Sequence, residues 1–180
     1  LAGHLGLDNL IMFYDSNDIQ LSTACSDVTN EDVAMKYESW GWKVFTINGN
    51  DPDEIREALT EAKAVTGQPT LIIGKTIMGK GARRADGTSY ECCCGTHGAP
   101  LGGDAYINTI KNLGGDVENP FQVWSDVEEL YAQRREELKQ IVAERYAAKA
   151  EWAKANPELA AKMELWFSGK APKVNWEAIE

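Results

Sequence analysis

The chain has 180 residues, with 18 basic and 28 acidic side chains, a net charge of −10 and a sequence pI near 4.7. That balance excludes nucleic acid and anionic membrane as partners held by bulk electrostatics, while leaving room for a local basic pocket. No apolar run approaches the length of a membrane span, no secretory signal is visible, residue 1 is Leu, and the length allows one domain with an appendage.

Residues 10–14, Leu-Ile-Met-Phe-Tyr, are apolar without a break. A short apolar run bounded by polar residues predicts a buried strand of a parallel sheet. It stops in Asp15-Ser16-Asn17-Asp18, a cluster of turn formers. Open α/β sheets take their ligands at the carboxyl ends of the strands. There Asn17 can offer a side-chain oxygen and Ile19 its backbone carbonyl. Two neutral oxygens suit a hard cation such as magnesium, which also keeps waters and ligand phosphates. The alternative is that Asn17 is an ordinary turn residue.

Residues 22–30 are polar and loop-like. Thr29 and Asp32 have the spacing of a capping box for a helix over residues 33–40. Val33, Tyr37 and Trp40 share one face of it, expected to be core, and Gly41 stops it. A strand over 42–47, a turn at Asn48-Gly49-Asn50-Asp51-Pro52, a helix over 53–66 ended by Gly67, and a strand over 70–73 follow. Strand, helix, strand, helix, strand predicts the α/β class: part of a parallel sheet flanked by helices.

Gly74-Lys75-Thr76 invites a P-loop reading, but that motif needs a glycine at position 69, which is Pro69. The P-loop is rejected. Lys75 is either a ligand contact or a solvated cation at a strand end. Residues 82–90 read as a mobile polar loop. Cys92-Cys93-Cys94 are poorly placed to pair with one another and match no zinc spacing. They read, with Cys25, as reduced thiols of a cytosolic protein, with a metal site completed by His97 as the alternative. His97 lies in Gly95-Thr96-His97-Gly98-Ala99-Pro100-Leu101, where Gly98 and Pro100 fix a turn that could aim the ring. Histidine suits proton transfer because it titrates near neutral pH, although a loop histidine can also be plain surface. His4 reads as structural.

Asp104 is placed to cap a helix with Tyr106, Ile107, Ile110 and Leu113 on one face, ended by Gly114-Gly115. Ser125-Asp126-Val127-Glu128 has the form of a capping box. It opens a long charged helix over residues 125–155, a solvated face by its charge run. Asn156-Pro157 breaks it, a shorter helix runs to Phe167, and Ser168-Gly169-Lys170-Ala171-Pro172 closes the region.

Several of these stretches resemble transketolases. Tyr14-Asp15-Ser16-Asn17-Asp18-Ile19 is similar to the second half of that family's thiamine diphosphate motif. Ala34-Met35-Lys36-Tyr37-Glu38-Ser39-Trp40-Gly41-Trp42-Lys43-Val44 and Lys75-Thr76-Ile77-Met78-Gly79-Lys80-Gly81 match its wording further on. His97-Gly98-Ala99-Pro100-Leu101 matches a transketolase signature outright. The opening Gly-Asp-Gly of the motif is absent, Leu1 to Leu7 look like the tail of the helix between its halves, and Ser22-Thr23 replaces an Asp-Gly pair.

The resemblance implies the thiamine diphosphate-binding fold. It divides the chain into a partial α/β domain over residues 1–119, then a helical extension and the start of an interdomain linker over 120–180. It implies a cofactor site for thiamine diphosphate and Mg2+, with Asn17 and the Ile19 carbonyl on the metal. Leu21 would lie beside the thiazolium ring, Lys75 and His97 at the diphosphate, and His97 also at the substrate as the catalytic residue. The parent enzyme would be a cytoplasmic transferase of the pentose phosphate pathway and a homodimer. It would move a two-carbon ketol unit between sugar phosphates, and the chain by itself would be an inactive piece that needs the remaining domains. The alternatives are a non-catalytic folded interaction module, or a piece of another thiamine diphosphate enzyme such as a ketoacid dehydrogenase or a xylulose phosphate synthase.

Overall fold

A computed structural model of the chain describes residues 1–171 and 173–178. Pro172, the last residue of the predicted closing stretch, lies outside the described residues. The chain divides into two compact units, residues 1–122 and 123–180.

The first unit is α/β, as expected. Its elements are β1 (Ile11–Ser16), α1 (Val33–Ser39), β2 (Lys43–Asn48), α2 (Pro52–Ala64), β3 (Thr70–Lys75) and α3 (Gly103–Asn112). The three strands form one parallel sheet in the order β1-β3-β2. The last strand in sequence is therefore central, and its residues 70–74 are all buried. Side chains alternate across a strand. Ile72 therefore shares a face with Ile11, Phe45 and Ile47, where Ala58 and Ala62 of α2 pack on it. Leu71 and Ile73 point to the opposite face, towards α1.

β1 corrects one expectation. It is a strand, and it runs two residues further than its apolar run, but it is not buried. Among the described residues it pairs on one edge only, and Phe13 remains 44% exposed. The stripe of α1 is likewise half covered rather than core. Tyr37 packs on Trp40 and Trp42, with ring centroids 5.1 Å apart in each pair, while Trp40 stays 51% exposed.

Helix starts also differ from their predicted caps. Asp32 itself caps α1 by accepting from Met35 N at 2.9 Å. Thr29 only accepts from Glu31 N at 3.3 Å, so no Thr29–Asp32 box forms. Asp51 caps α2 by accepting from Asp53 N and Glu54 N at 2.9 and 3.3 Å. Gly102, not Asp104, is the N-cap of α3. The stops follow the glycines more closely. Gly41, at φ 81°, donates to Glu38 O while Trp42 N donates to Tyr37 O, a Schellman closure that needs the left-handed conformation. Residues 1–10 form turns, with one helical bond from Leu5 N to Leu1 O, rather than a helix tail. His4 is exposed there.

Residues 82–90, expected to be a mobile loop, close into a small hairpin. Arg83 bridges Ser89, Arg84 N donates to Thr88 O at 2.9 Å and Tyr90 N to Ala82 O at 2.9 Å. The Arg84 guanidinium lies 4.2 Å from the Tyr90 ring centroid. α3 ties it down through polar side chains: Thr109 Oγ1 accepts from Arg83 N at 2.9 Å, and Asn112 Nδ2 donates to Gly81 O at 2.9 Å.

The second unit contains α4 (Ser125–Ala155) and α5 (Pro157–Phe167). The break at Asn156-Pro157 and the solvated character of α4, which has no buried residue, are as expected. The capping box is not. Trp124 is the N-cap, and no side chain caps the helix. Among the described residues no helix is long and apolar enough to cross a membrane.

Candidate functional site at the carboxyl ends of the strands

Parallel register puts the last residues of all three strands at one end of the sheet, with Ser16 beside Lys75 and Asn48 on its other side. Ser16 and Lys75 sit at matched positions on the same face. The consequence is direct: Lys75 Nζ donates to Ser16 Oγ at 3.0 Å. It also pairs with Asp18 Oδ1 at 2.7 Å, with half of the lysine side chain and most of the carboxylate side chain exposed. On the other face Thr76 Oγ1 hydrogen-bonds Asp15 Oδ1, and Asn50 Oδ1 accepts from Ile77 N at 2.9 Å. Both bonds hold the segment after β3 against the neighbouring strand ends.

Beyond β1 the backbone turns tightly. Asn17 Oδ1 accepts from Ile19 N at 3.0 Å, an Asx turn, and Asp18 between them adopts φ 62°. Ile19 then bridges Ala24, flanked by Cys25 N to Asp18 O at 2.9 Å and Gln20 N to Thr23 O at 3.0 Å. This is the pair type whose two residues exchange no hydrogen bonds. Among the described residues no backbone N–H donates to the Ile19 carbonyl. Asn17 Oδ1 keeps a second lone pair. The two neutral oxygens predicted as metal ligands therefore lie two residues apart with acceptor capacity left, a donor set that fits a hard cation. Leu21 sits at the tip of this loop, 71% exposed.

A cavity of about 540 Å³ opens between this end of the sheet and the start of α1. Ser16, Asp18 and Lys75 line it from the strand ends, and Asp32 and Val33 from the helix. Its one basic side chain among the described residues is Lys75, and Asp18, Glu31 and Asp32 are its acidic ones.

His97 is placed apart from this cluster, on the segment that returns from the hairpin. It follows a single 3-10 turn, Cys94–Thr96, and its N–H donates to Cys94 O at 3.0 Å. The ring is exposed and makes no hydrogen bond among the described residues. Gly98 after it takes φ 75°, the left-handed conformation expected of this turn. The loop is tethered to the end of β3. Cys92 N donates to Met78 O at 2.9 Å, and Thr96 lies so close to Gly79 that a Cβ there would come within 3.0 Å of its hydroxyl. Lys75 and His97 thus bracket one anchored stretch of chain. Cys92, Cys93 and Cys94 are free thiols, and among the described residues no group of three His, Cys, Asp or Glu side chains is arranged to hold a metal.

The sequence reading singled out Asn17, Ile19 and Lys75, which stand at the same end of the sheet with Asp18 as the loop residue that Lys75 touches, and His97, whose loop is tethered to the segment after β3. It missed the roles of Ser16, Asp15 and Thr76, whose partners lie about sixty positions away in sequence and become neighbours only through strand register.

Three parallel strands with their polar loops gathered at one end define an open α/β domain of the kind that receives ligands at its carboxyl edge. The family model described as transketolase, thiamine diphosphate binding domain, matches residues 1–172, and the chain belongs to that family. It is 40% identical to a transketolase of Staphylococcus epidermidis over 186 aligned residues, covering 99% of this chain and 26% of the relative. It is 39% identical to one of Geobacillus stearothermophilus over 183, again covering 99% and 26%. A Pichia stipitis transketolase solved with sedoheptulose 7-phosphate superposes with a TM-score of 0.82 at 32% identity, covering 98% of this chain and 25% of that one. The Leishmania mexicana transketolase gives 0.80 at 32%, covering 99% and 26%. The chain spans about a quarter of the length of the curated relatives it matches.

Proposed function

We infer that this chain supplies the diphosphate side of the cofactor site in a transketolase that transfers a two-carbon ketol unit from a ketose phosphate to an aldose phosphate. The observation that carries the reading is that Asn17 Oδ1 and the Ile19 carbonyl, both with acceptor capacity left among the described residues, stand on the loop that follows β1 at the same end of the sheet as Lys75, whose ammonium reaches that loop at Asp18. Asn17 and Ile19 would hold magnesium through neutral oxygens, and the metal's remaining positions suit phosphate and water. Lys75 would meet the diphosphate as a point charge. Leu21, exposed at its loop tip, offers an apolar surface to the ring system. His97, on the tethered loop, would donate to the diphosphate or the substrate and hold or release a proton near neutral pH. When bound, thiamine diphosphate supplies the chemistry that breaks and remakes the carbon–carbon bond beside the ketose carbonyl.

The binding of sedoheptulose 7-phosphate by the Pichia stipitis relative supports sugar phosphates as substrates. In this reading the parent enzyme is cytoplasmic and homodimeric and acts in the pentose phosphate pathway, and the remaining domains complete the site. The test is Asn17→Ala in the intact enzyme that carries this domain. Magnesium and thiamine diphosphate retained after gel filtration should fall well below the wild-type ratio, while the melting curve of the cofactor-free protein stays close to wild type. Full retention of both would make Asn17 a turn residue and overturn the reading.

A further inference from the structure

We propose that Asp18 is a built-in counter-ion, a carboxylate that engages Lys75 and must give it up when the cofactor diphosphate arrives. The proposal rests on the reading of Lys75 as a diphosphate contact and adds the residue that sets how strongly that contact counts.

The geometry is specific. Asp18 Oδ1 lies 2.7 Å from Lys75 Nζ, and the buried Ser16 Oγ takes a second donor at 3.0 Å. An ammonium has three donors, so two are already committed before any ligand binds. Asp18 reaches the lysine because its backbone stands at φ 62°. Side chains other than glycine rarely take this conformation, and Asp and Asn take it most readily. The Cys25 N–H bond to Asp18 O at 2.9 Å fixes the backbone there. A carboxylate on a loose loop would matter little, but the backbone that carries this one is held by the Asx turn of Asn17 and by the Cys25 bond.

A diphosphate approaching Lys75 meets this charge first. It must displace the carboxylate from the ammonium and then share the cavity with it at a separation well inside the Debye length, about 8 Å in physiological salt. Both effects weaken binding. The exposed setting limits their size, since ion pairs of this kind contribute modestly. Removing the charge while keeping an αL-tolerant side chain should therefore tighten binding about three- to fivefold.

The experiment measures the thiamine diphosphate dissociation constant of the intact enzyme by titration calorimetry at saturating magnesium. It compares wild type, Asp18→Asn, Lys75→Gln and the double variant. Lys75→Gln should weaken binding on the order of tenfold, as expected for loss of a charged hydrogen bond. Asp18→Asn should tighten it three- to fivefold, and that gain should vanish in the Lys75→Gln background. If Lys75→Gln leaves the constant unchanged, the reading of the site fails and the counter-ion falls with it. If Lys75→Gln weakens binding but Asp18→Asn does not tighten it, the site reading stands and the counter-ion is refuted. A gain from Asp18→Asn that persists without Lys75 also refutes it, leaving only diffuse repulsion. So does a raised magnesium requirement in Asp18→Asn, read by titrating magnesium at fixed thiamine diphosphate, which would make the carboxylate a metal ligand.

Discussion

His97→Ala in the intact enzyme separates a site residue from a surface residue because the two readings predict different pairs of numbers. The structural cost can be worked out bond by bond. The loop is held by Cys92 N to Met78 O, Thr96 N to Cys93 O, His97 N to Cys94 O and Thr96 Oγ1 to Cys93 O. None of these uses the imidazole. The ring is exposed, and the His97 backbone, at φ −75° and ψ 102°, is one that alanine adopts freely. An exposed substitution that breaks no bond costs at most about 0.5 kcal/mol, a change of roughly 1–2 °C in melting temperature for 150–250 residues and less in the longer intact enzyme. A histidine that moves a proton or stabilises charge contributes on the order of 10²–10⁴ in rate, or about 3–5 kcal/mol of barrier. Turnover in a coupled ketol-transfer assay and the melting curve should be measured on one preparation with cofactor in excess. A near-constant melting point with kcat/KM down at least a hundredfold is the expected result. Unchanged kcat/KM removes His97 from the site, and a parallel fall of both quantities makes it a structural residue.

Two further outcomes test the scaffold. Gly74→Ala places a Cβ against the Phe13 ring and 3.2 Å from the Gly49 backbone, inside the central strand. It should lower stability by about 1–3 kcal/mol, as overpacking does, and an unchanged denaturation midpoint would mean that the exposed Phe13 ring absorbs the strain. In the hairpin, the Thr88 hydroxyl, then its backbone N–H, then Arg84 hold the Asp86 carboxyl below its ordinary 3.8. A depressed folded value stabilises the hairpin above the unfolded value, and that support is lost as pH falls through the folded one. Thr88→Ala should raise the Asp86 titration midpoint towards 3.8, read by NMR, and an unmoved midpoint would refute the hydroxyl as the main cause.

The fold was legible wherever local pattern and tertiary role coincide. The apolar runs of β1 and β3, the glycine stops of α1 and α3 and the Asn-Pro break after α4 are local signals with local causes. Burial of β1 was not legible, because an apolar run reports only that a strand can be buried. Whether it is depends on its place in the sheet, and β1 takes an edge in the order β1-β3-β2. Caps failed for a related reason. Thr29, Asp32 and Asp104 all have capping chemistry, and the choice among them is made by where the chain leaves its preceding loop. At α4, Ser125-Asp126-Val127-Glu128 has the right residues one position too late, since the helix already begins at Ser125.

The site shows a different limit. Asn17 and Lys75 could each be picked out, because each has a residue type suited to a metal or a phosphate at a predicted strand end. What could not be read was that Asp18 answers Lys75 across 57 positions. That pairing follows from a chain of causes with no trace in either motif alone. Parallel pairing aligns Ser16 with Lys75, alternation puts both on the α1 face, and the left-handed turn at Asp18 folds its carboxylate back over them. A motif therefore identifies which groups can bind, while register decides which groups already hold one another before the ligand comes. The affinity of such a site depends on both, so Asp18, which a motif search passes over as a turn residue, belongs in any account of how tightly this domain holds an anion.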